Sequence, residues 1–268
     1  MPVAGSSLVG LLPDEVAMDY LAKHCCYAPG ADLAEELAAA RAKLGTRTAN
    51  RCGEPESKPL PASEAAHEAA VRATARFGQF TAACEFRIVE IAPLLACQVH
   101  VTLNAHEDSD PLNLCLPITI NDPTVGSWSQ GGEDFGSLLL TCDDLNFRVL
   151  KGGASASTPG EGLVLVGAGL GVGAPFVQVL RWKDRCYLAN GFHRAYKLMM
   201  GGATEMPCLF RDIDDPDPAK IIQPFGEHLQ AADPPATIGD FALGYEVPIR
   251  KTRREVSVNW SQLVVPVE

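Results

Sequence analysis

Residues 185–210 place a strand, a glycine turn, a helix and a second strand in direct succession, and that order commits a chain to an α/β layer. Arg185-Cys186-Tyr187-Leu188-Ala189 reads as the first strand. Past Gly191, apolar side chains recur at Phe192, Ala195, Leu198 and Met199, a spacing of three and four that gives a helix one buried stripe. Gly201-Gly202 ends the helix as a glycine C-cap does, and Met206-Pro207-Cys208-Leu209-Phe210 supplies the strand that follows.

The start of this helix has the chemistry of an anion pocket. First-turn amides lack an intrahelical acceptor, and the helix dipole places roughly half a positive charge there. Gly191 removes the Cβ that would hold a ligand off the backbone and accepts a positive φ. Arg194 offers a planar fork of donors for two phosphate oxygens, with His193 as a second donor or a proton carrier. A capped surface turn, its Arg194 paired with Asp184 or Asp212, accounts for the same residues without a ligand.

The stretch Asp184 to Asp212, with Gly191-Phe192-His193-Arg194 at its centre and Met206-Pro207-Cys208 after it, resembles the core of the ParB/sulfiredoxin-like superfamily. Members of that group carry a Gly-x-His-Arg or Gly-x-Arg-Arg turn at a nucleotide phosphate site. The segment from Arg87-Ile88-Val89-Glu90 to Gln98-Val99-His100 is similar to the strand and loop that open the domain. The likeness covers residues 85–213 in two pieces, separated by a long insertion. It implies an α/β (α+β) fold with a ParB/sulfiredoxin-like core. It also implies a nucleotide site at Asn190, Gly191, His193 and Arg194, with His193 as the catalytic candidate.

Departures from the family narrow the chemistry. Sulfiredoxins carry their catalytic cysteine between the glycine and the histidine, where this chain has Phe192. The family's free-serine kinases carry an aspartate before the glycine; Asn190 stands there and cannot act as a base at neutral pH. Kinase activity then needs another carboxylate, such as Glu90, Asp184 or Asp212. Chromosome-partitioning members continue into a helix-turn-helix domain, whereas the segment after Asp212 is short and proline-rich.

A formal net charge of −11 opposes a general DNA-binding role, because nonspecific binding needs many Lys and Arg on one surface. The local basic run Arg250-Lys251-Thr252-Arg253-Arg254 reads as a solvated strand or loop. The nine cysteines contain no Cys-x-x-Cys pair, and several sit in apolar contexts such as Leu95-Ala96-Cys97, as small buried residues of a reduced compartment do. His24-Cys25-Cys26 is the only adjacent His/Cys group, and consecutive residues rarely point at one ion, so no metal site is expected there. The chain starts without a charged segment leading into an apolar one, and no apolar run reaches the ~18 residues of a membrane span. The expected setting is the cytoplasm, away from membranes.

Residues 1–82 read as a helical N-terminal arm. Asp14 to His24 is one helix; Asp32 to Leu44 is another, with Asp32 as N-cap and Gly45 at its end. A third runs from Ser63 to Phe77, with Ser63 as cap. Residues 83–213 form the core, with a glycine-rich insertion at 104–175, and residues 214–268 form a tail packing on it. Within the insertion, Asp108-Ser109-Asp110 lacks the spacing and glycine of an EF-hand loop and reads as a solvated acidic turn, while Gly131-Gly132-Glu133-Asp134 and Cys142-Asp143-Asp144 add carboxylates on hairpin loops that could hold Mg²⁺ with a nucleotide if the fold brings them to the phosphate site. Leu163 to Gly173 looks like a dinucleotide-binding strand and turn, but Pro175 and Phe176 to Trp182 argue against the helix that motif requires. Its glycines read instead as a turning loop.

These features lead to a nucleotide- or phosphate-binding protein, taking ATP, ADP or CTP with Mg²⁺ or another phosphorylated small molecule, and able to form a homo-oligomer. A phosphotransferase or nucleotide hydrolase using the same turn is the alternative, and a DNA-partitioning or transcription factor the weaker one.

Overall fold

The computed structural model describes residues 3–47, 51–74, 77–79, 84–102, 110–119, 124–130, 135–142, 147–156, 164–172, 175–214, 226–249 and 254–261. The protein is mixed α/β, and its contacts divide it into two units: Met1–Ile118 with Phe176–Lys251, and Thr119–Pro175 with Thr252–Glu268.

The first unit begins with β1 (Val3–Ser7), α1 (Asp14–His24) and α2 (Leu33–Leu44). Acidic Asp14 and Glu15 open α1 and basic Lys23 and His24 close it, the order the helix dipole favours, while Ala17, Tyr20 and Leu21 are buried. Asp32 caps α2 by accepting from the Ala34 and Glu35 amides at 2.9 and 3.3 Å. Gly45 ends it, its amide on the Arg41 carbonyl.

Next come β2 (Ser57–Pro59), α3 (Ala65–Arg72) and β3 (Glu85–Glu90). The helix expected from Ser63 to Phe77 is shorter at both ends. Ser63 lies in a 3-10 turn and caps nothing. Beyond Arg72, the Thr74 hydroxyl donates to the Val71 carbonyl and accepts from the Phe77 amide, bending the chain out of the helix.

After β4 (His100–Thr102) and α4 (Pro111–Cys115), the chain enters the second unit. Its strands there are β5 (Thr124–Gln130), β6 (Phe135–Cys142), β7 (Phe147–Ala156) and β8 (Val164–Val172). Returning to the first unit, it forms β9 (Gln178–Trp182), β10 (Arg185–Asn190), α5 (Phe192–Met200) and β11 (Glu205–Asp212). It closes with α6 (Gly226–Ala231), β12 (Tyr245–Ile249) and, in the second unit, β13 (Arg254–Ser261).

The main sheet of the first unit has the order β10-β9-β11-β3-β2. β11 lies at its centre, parallel to β9 and antiparallel to β3. A central strand covered on both faces needs a continuous apolar run, and Met206 to Phe210 is buried residue by residue. β9 and β10 form a hairpin whose turn puts Lys183 at φ 52°. α5 then carries the chain from β10 past β9 to β11. A second sheet, β12-β1-β4, sets β1 between two antiparallel partners. Arg47 and Asp240, both nearly buried, pair at 3.3 Å, and Asp240 also accepts from the Thr237 amide.

The second unit holds the sheet β13-β6-β5 and the pair β7-β8, all antiparallel. One reading from the sequence changes here. Gly167 to Val172 is strand, not a turning loop, because β8 pairs along its whole length with β7. The residues expected as a tail divide between the units: β12 pairs with β1 in the first, and β13 pairs with β6 in the second. Residues 108–109, 131–134, 143–144 and 250–253 fall outside the described residues; Arg254 opens β13.

Candidate functional site

α5 starts where β10 can no longer continue. Gly191 takes φ 102° and ψ 22°, a left-handed conformation that favours glycine, and no side chain caps the helix. A Cβ at this position would come 2.7 Å from Val177 Cγ2. Val177 cannot yield easily, since its amide donates to the Cys115 carbonyl and its carbonyl accepts from the Leu209 amide. Asn190 reaches the same segment, its Nδ2 donating to the Phe176 carbonyl at 2.9 Å. The turn therefore wraps Phe176 and Val177.

Arg194, read from the sequence as a fork of donors for two phosphate oxygens or as a surface partner of Asp184 or Asp212, is buried. It is 6% exposed and its Nη1 donates to the Leu114 carbonyl at 3.2 Å, tying α5 to α4. Phe192, the residue in the cysteine position of the resemblance, is buried as well. The buried face of α5 thus includes Phe192, Arg194, Ala195, Tyr196 and Leu198, more than the single stripe that spacing suggests.

His193 is half-buried and looks toward β4. The Thr102 amide donates to its Nδ1 at 3.0 Å. A backbone amide can only donate, so Nδ1 accepts and the neutral ring carries its proton on Nε2. That nitrogen lies 3.2 Å from Gln98 Nε2, whose amide also donates to the His100 carbonyl at 2.6 Å. Gln98 can present its oxygen to the His193 proton only by turning its amide away from that carbonyl. His193 is consequently set up as a hydrogen-bond donor through Nε2, with its basic nitrogen engaged by Thr102.

Two of the three carboxylates proposed as bases, Glu90 and Asp212, are paired with arginines elsewhere. Glu90 pairs with Arg51 at 2.9 Å and accepts from the Glu56 amide. Asp212 meets Arg181 through two bonds of 2.5 and 2.9 Å, and Asp184 is exposed beside the hairpin turn. Asp110, from the acidic loop, caps α4 by accepting from the Asn113 amide and side chain. Among the described residues no group of three or more His, Cys, Asp or Glu side chains converges on a metal position, and no helix is long and apolar enough to cross a membrane.

A cavity of about 430 Å³ opens between α4 and the far end of α5, with Asp110, Leu114, Lys197, Leu198, Gly201 and Ala203 on its wall. The helix start at Gly191 is not part of that lining. Residues that the sequence reading passed over as site members, Gln98, His100 and Thr102, form the partner surface of His193. Their signal was a period of two, which puts Gln98, His100 and Thr102 on one side of an extended segment. Comparison with protein-family models, with curated proteins and with solved structures gives no match to this chain.

Proposed function

We propose that this protein is a phosphate-binding module of the ParB/sulfiredoxin-like group, which holds a nucleotide such as ATP, ADP or CTP at the start of α5 and does not turn it over. The observation that carries this reading is the opening of α5 on a left-handed Gly191 with no side-chain cap, beside a half-buried His193 whose Nδ1 accepts from the Thr102 amide. Uncapped first-turn amides and an adjacent N–H donor are the groups a phosphate oxygen requires. Arg194 contributes a buried positive charge and holds α4, rather than gripping the ligand itself.

The absence of turnover in this reading follows from the residues at the turn. Phe192 and Asn190 replace the nucleophile and the base of catalytic relatives, and Asn190 is committed to the Phe176 carbonyl. His193 has its basic nitrogen on Thr102. Mg²⁺ would need carboxylates at the phosphate, and Glu90 and Asp212 already pair with arginines, so no step is assigned to the ion.

A second reading has its own support: the turn is a packing joint. The close approach of Gly191 to Val177 and the Arg194–Leu114 bond would be needed for folding even without a ligand. Titration calorimetry with ATP, ADP, CTP and GTP, each with and without Mg²⁺, separates the two. Binding predicts saturable heat with at least one nucleotide, weakened about tenfold in His193→Ala, the effect of one lost hydrogen bond to a charged group. No heat with any of them removes the proposal and leaves the joint. Product formation that disappears in His193→Ala would replace the module with a phosphotransferase or hydrolase.

A further inference from the structure

A group of side chains that the nucleotide reading does not use meets between α1, β4 and α5. The Tyr20 hydroxyl on α1 is hydrogen-bonded to Nδ1 of His100 on β4. The Tyr20 ring lies 4.8 Å from the His24 ring and 6.0 Å from the His100 ring. His100 in turn meets His193 of α5 edge-on, with ring centroids 6.3 Å apart. One imidazole thus touches two helices from a strand between them.

His100 is faced by Tyr20 and His24 from α1 and by His193 from α5. From β1 it is faced across the ladder by Ser7, which does not titrate. Among the described residues no carboxylate pairs with it. When Nδ1 carries no proton the phenol donates to it; a proton there reverses the bond, so that Tyr20 must accept and turn its own hydrogen elsewhere in a buried setting.

We propose that His100 is a proton-sensitive pin, which in its neutral form joins α1 to β4 beside the start of α5 and on protonation lets that joint open. Burial, with His193 and His24 as like-charge neighbours, pushes its imidazole down from 6.5 to about 4. As pH falls, the opened chain takes up this proton before the closed one does. The stabilisation is therefore complete above pH 6.5 and is lost progressively toward pH 4.

The test compares backbone hydrogen exchange of the full chain, corrected for intrinsic rates, at about pH 7 and about pH 4.5, with ring-carbon NMR of His100. His100→Asn is the control, since its Oδ1 stands where Nδ1 stood, accepts from Tyr20 and takes no proton. Protection of the Thr102 amide, which holds His193, should fall at least about tenfold in the wild type between the two pH values, and less than about threefold in His100→Asn. Equal loss in both chains, or no loss in the wild type, overturns the proposal. If His100→Asn does not fold at pH 7, the wild-type ring decides: a midpoint near 4 supports the pin, and one near 6.5 overturns it. None of these readouts needs a nucleotide, so the result stands apart from the phosphate-binding reading.

Discussion

Gly191 and the glycines of β8 put one residue type to opposite uses. At 191 the backbone sits at φ 102°, and the absent Cβ leaves room for Val177. In β8, glycine recurs every second residue at 167, 169 and 171, within a strand whose register with β7 runs from Phe147↔Val172 to Ala156↔Val164. The first position requires glycine, because any other L-residue is strained there. The second tolerates it at a cost, since glycine inside a strand is about 0.5–1 kcal/mol less favourable than alanine. A glycine that interrupts a pattern and a glycine that keeps one carry different information.

The largest effect that would break this contrast is at the turn itself. Gly191→Ala should lower stability by about 2–4 kcal/mol in urea denaturation, the sum of left-handed strain and an overpacked contact. Adding Val177→Ala should relieve the contact but not the strain, so the two changes together should be about 1 kcal/mol less harmful than their sum. Arg194→Ala comes next, at about 1–3 kcal/mol, because it leaves the Leu114 carbonyl without its donor inside the protein. Lost ligand binding in that variant would report on the fold as much as on a phosphate contact. The smallest effect is Gly169→Ala, expected to raise stability by about 0.5 kcal/mol. If it costs as much as Gly191→Ala, the contrast is wrong.

What the sequence made legible was local. The strand read at 185–189 is β10, Arg185–Asn190; the helix after Gly191 is α5; and the run 206–210 lies inside β11. Each rests on spacing within a few residues. α1 and α2 were readable for the same reason, down to the Asp32 cap. The burial of Arg194 was not legible because α5 packs against β4, α4 and β11, and three neighbours bury more of a helix than its apolar stripe reveals. The partners of His193 were hidden by distance along the chain: Thr102 is 91 residues away and Gln98 is 95. β8 is not legible from spacing, because glycine in a strand reads as punctuation, while pairing with β7 holds the strand through it.

β1 is the middle strand of β12-β1-β4, so residues 3–7 lie between residues 100–102 and residues 245–249. On a ribosome, this sheet stays half-built until residues 245–249 have been synthesised. For most of that time β1 has one ladder satisfied and one edge bare, open to any strand that arrives first. Complete pairing of residues 3–7 is therefore a late event, governed by a strand more than 200 residues further on.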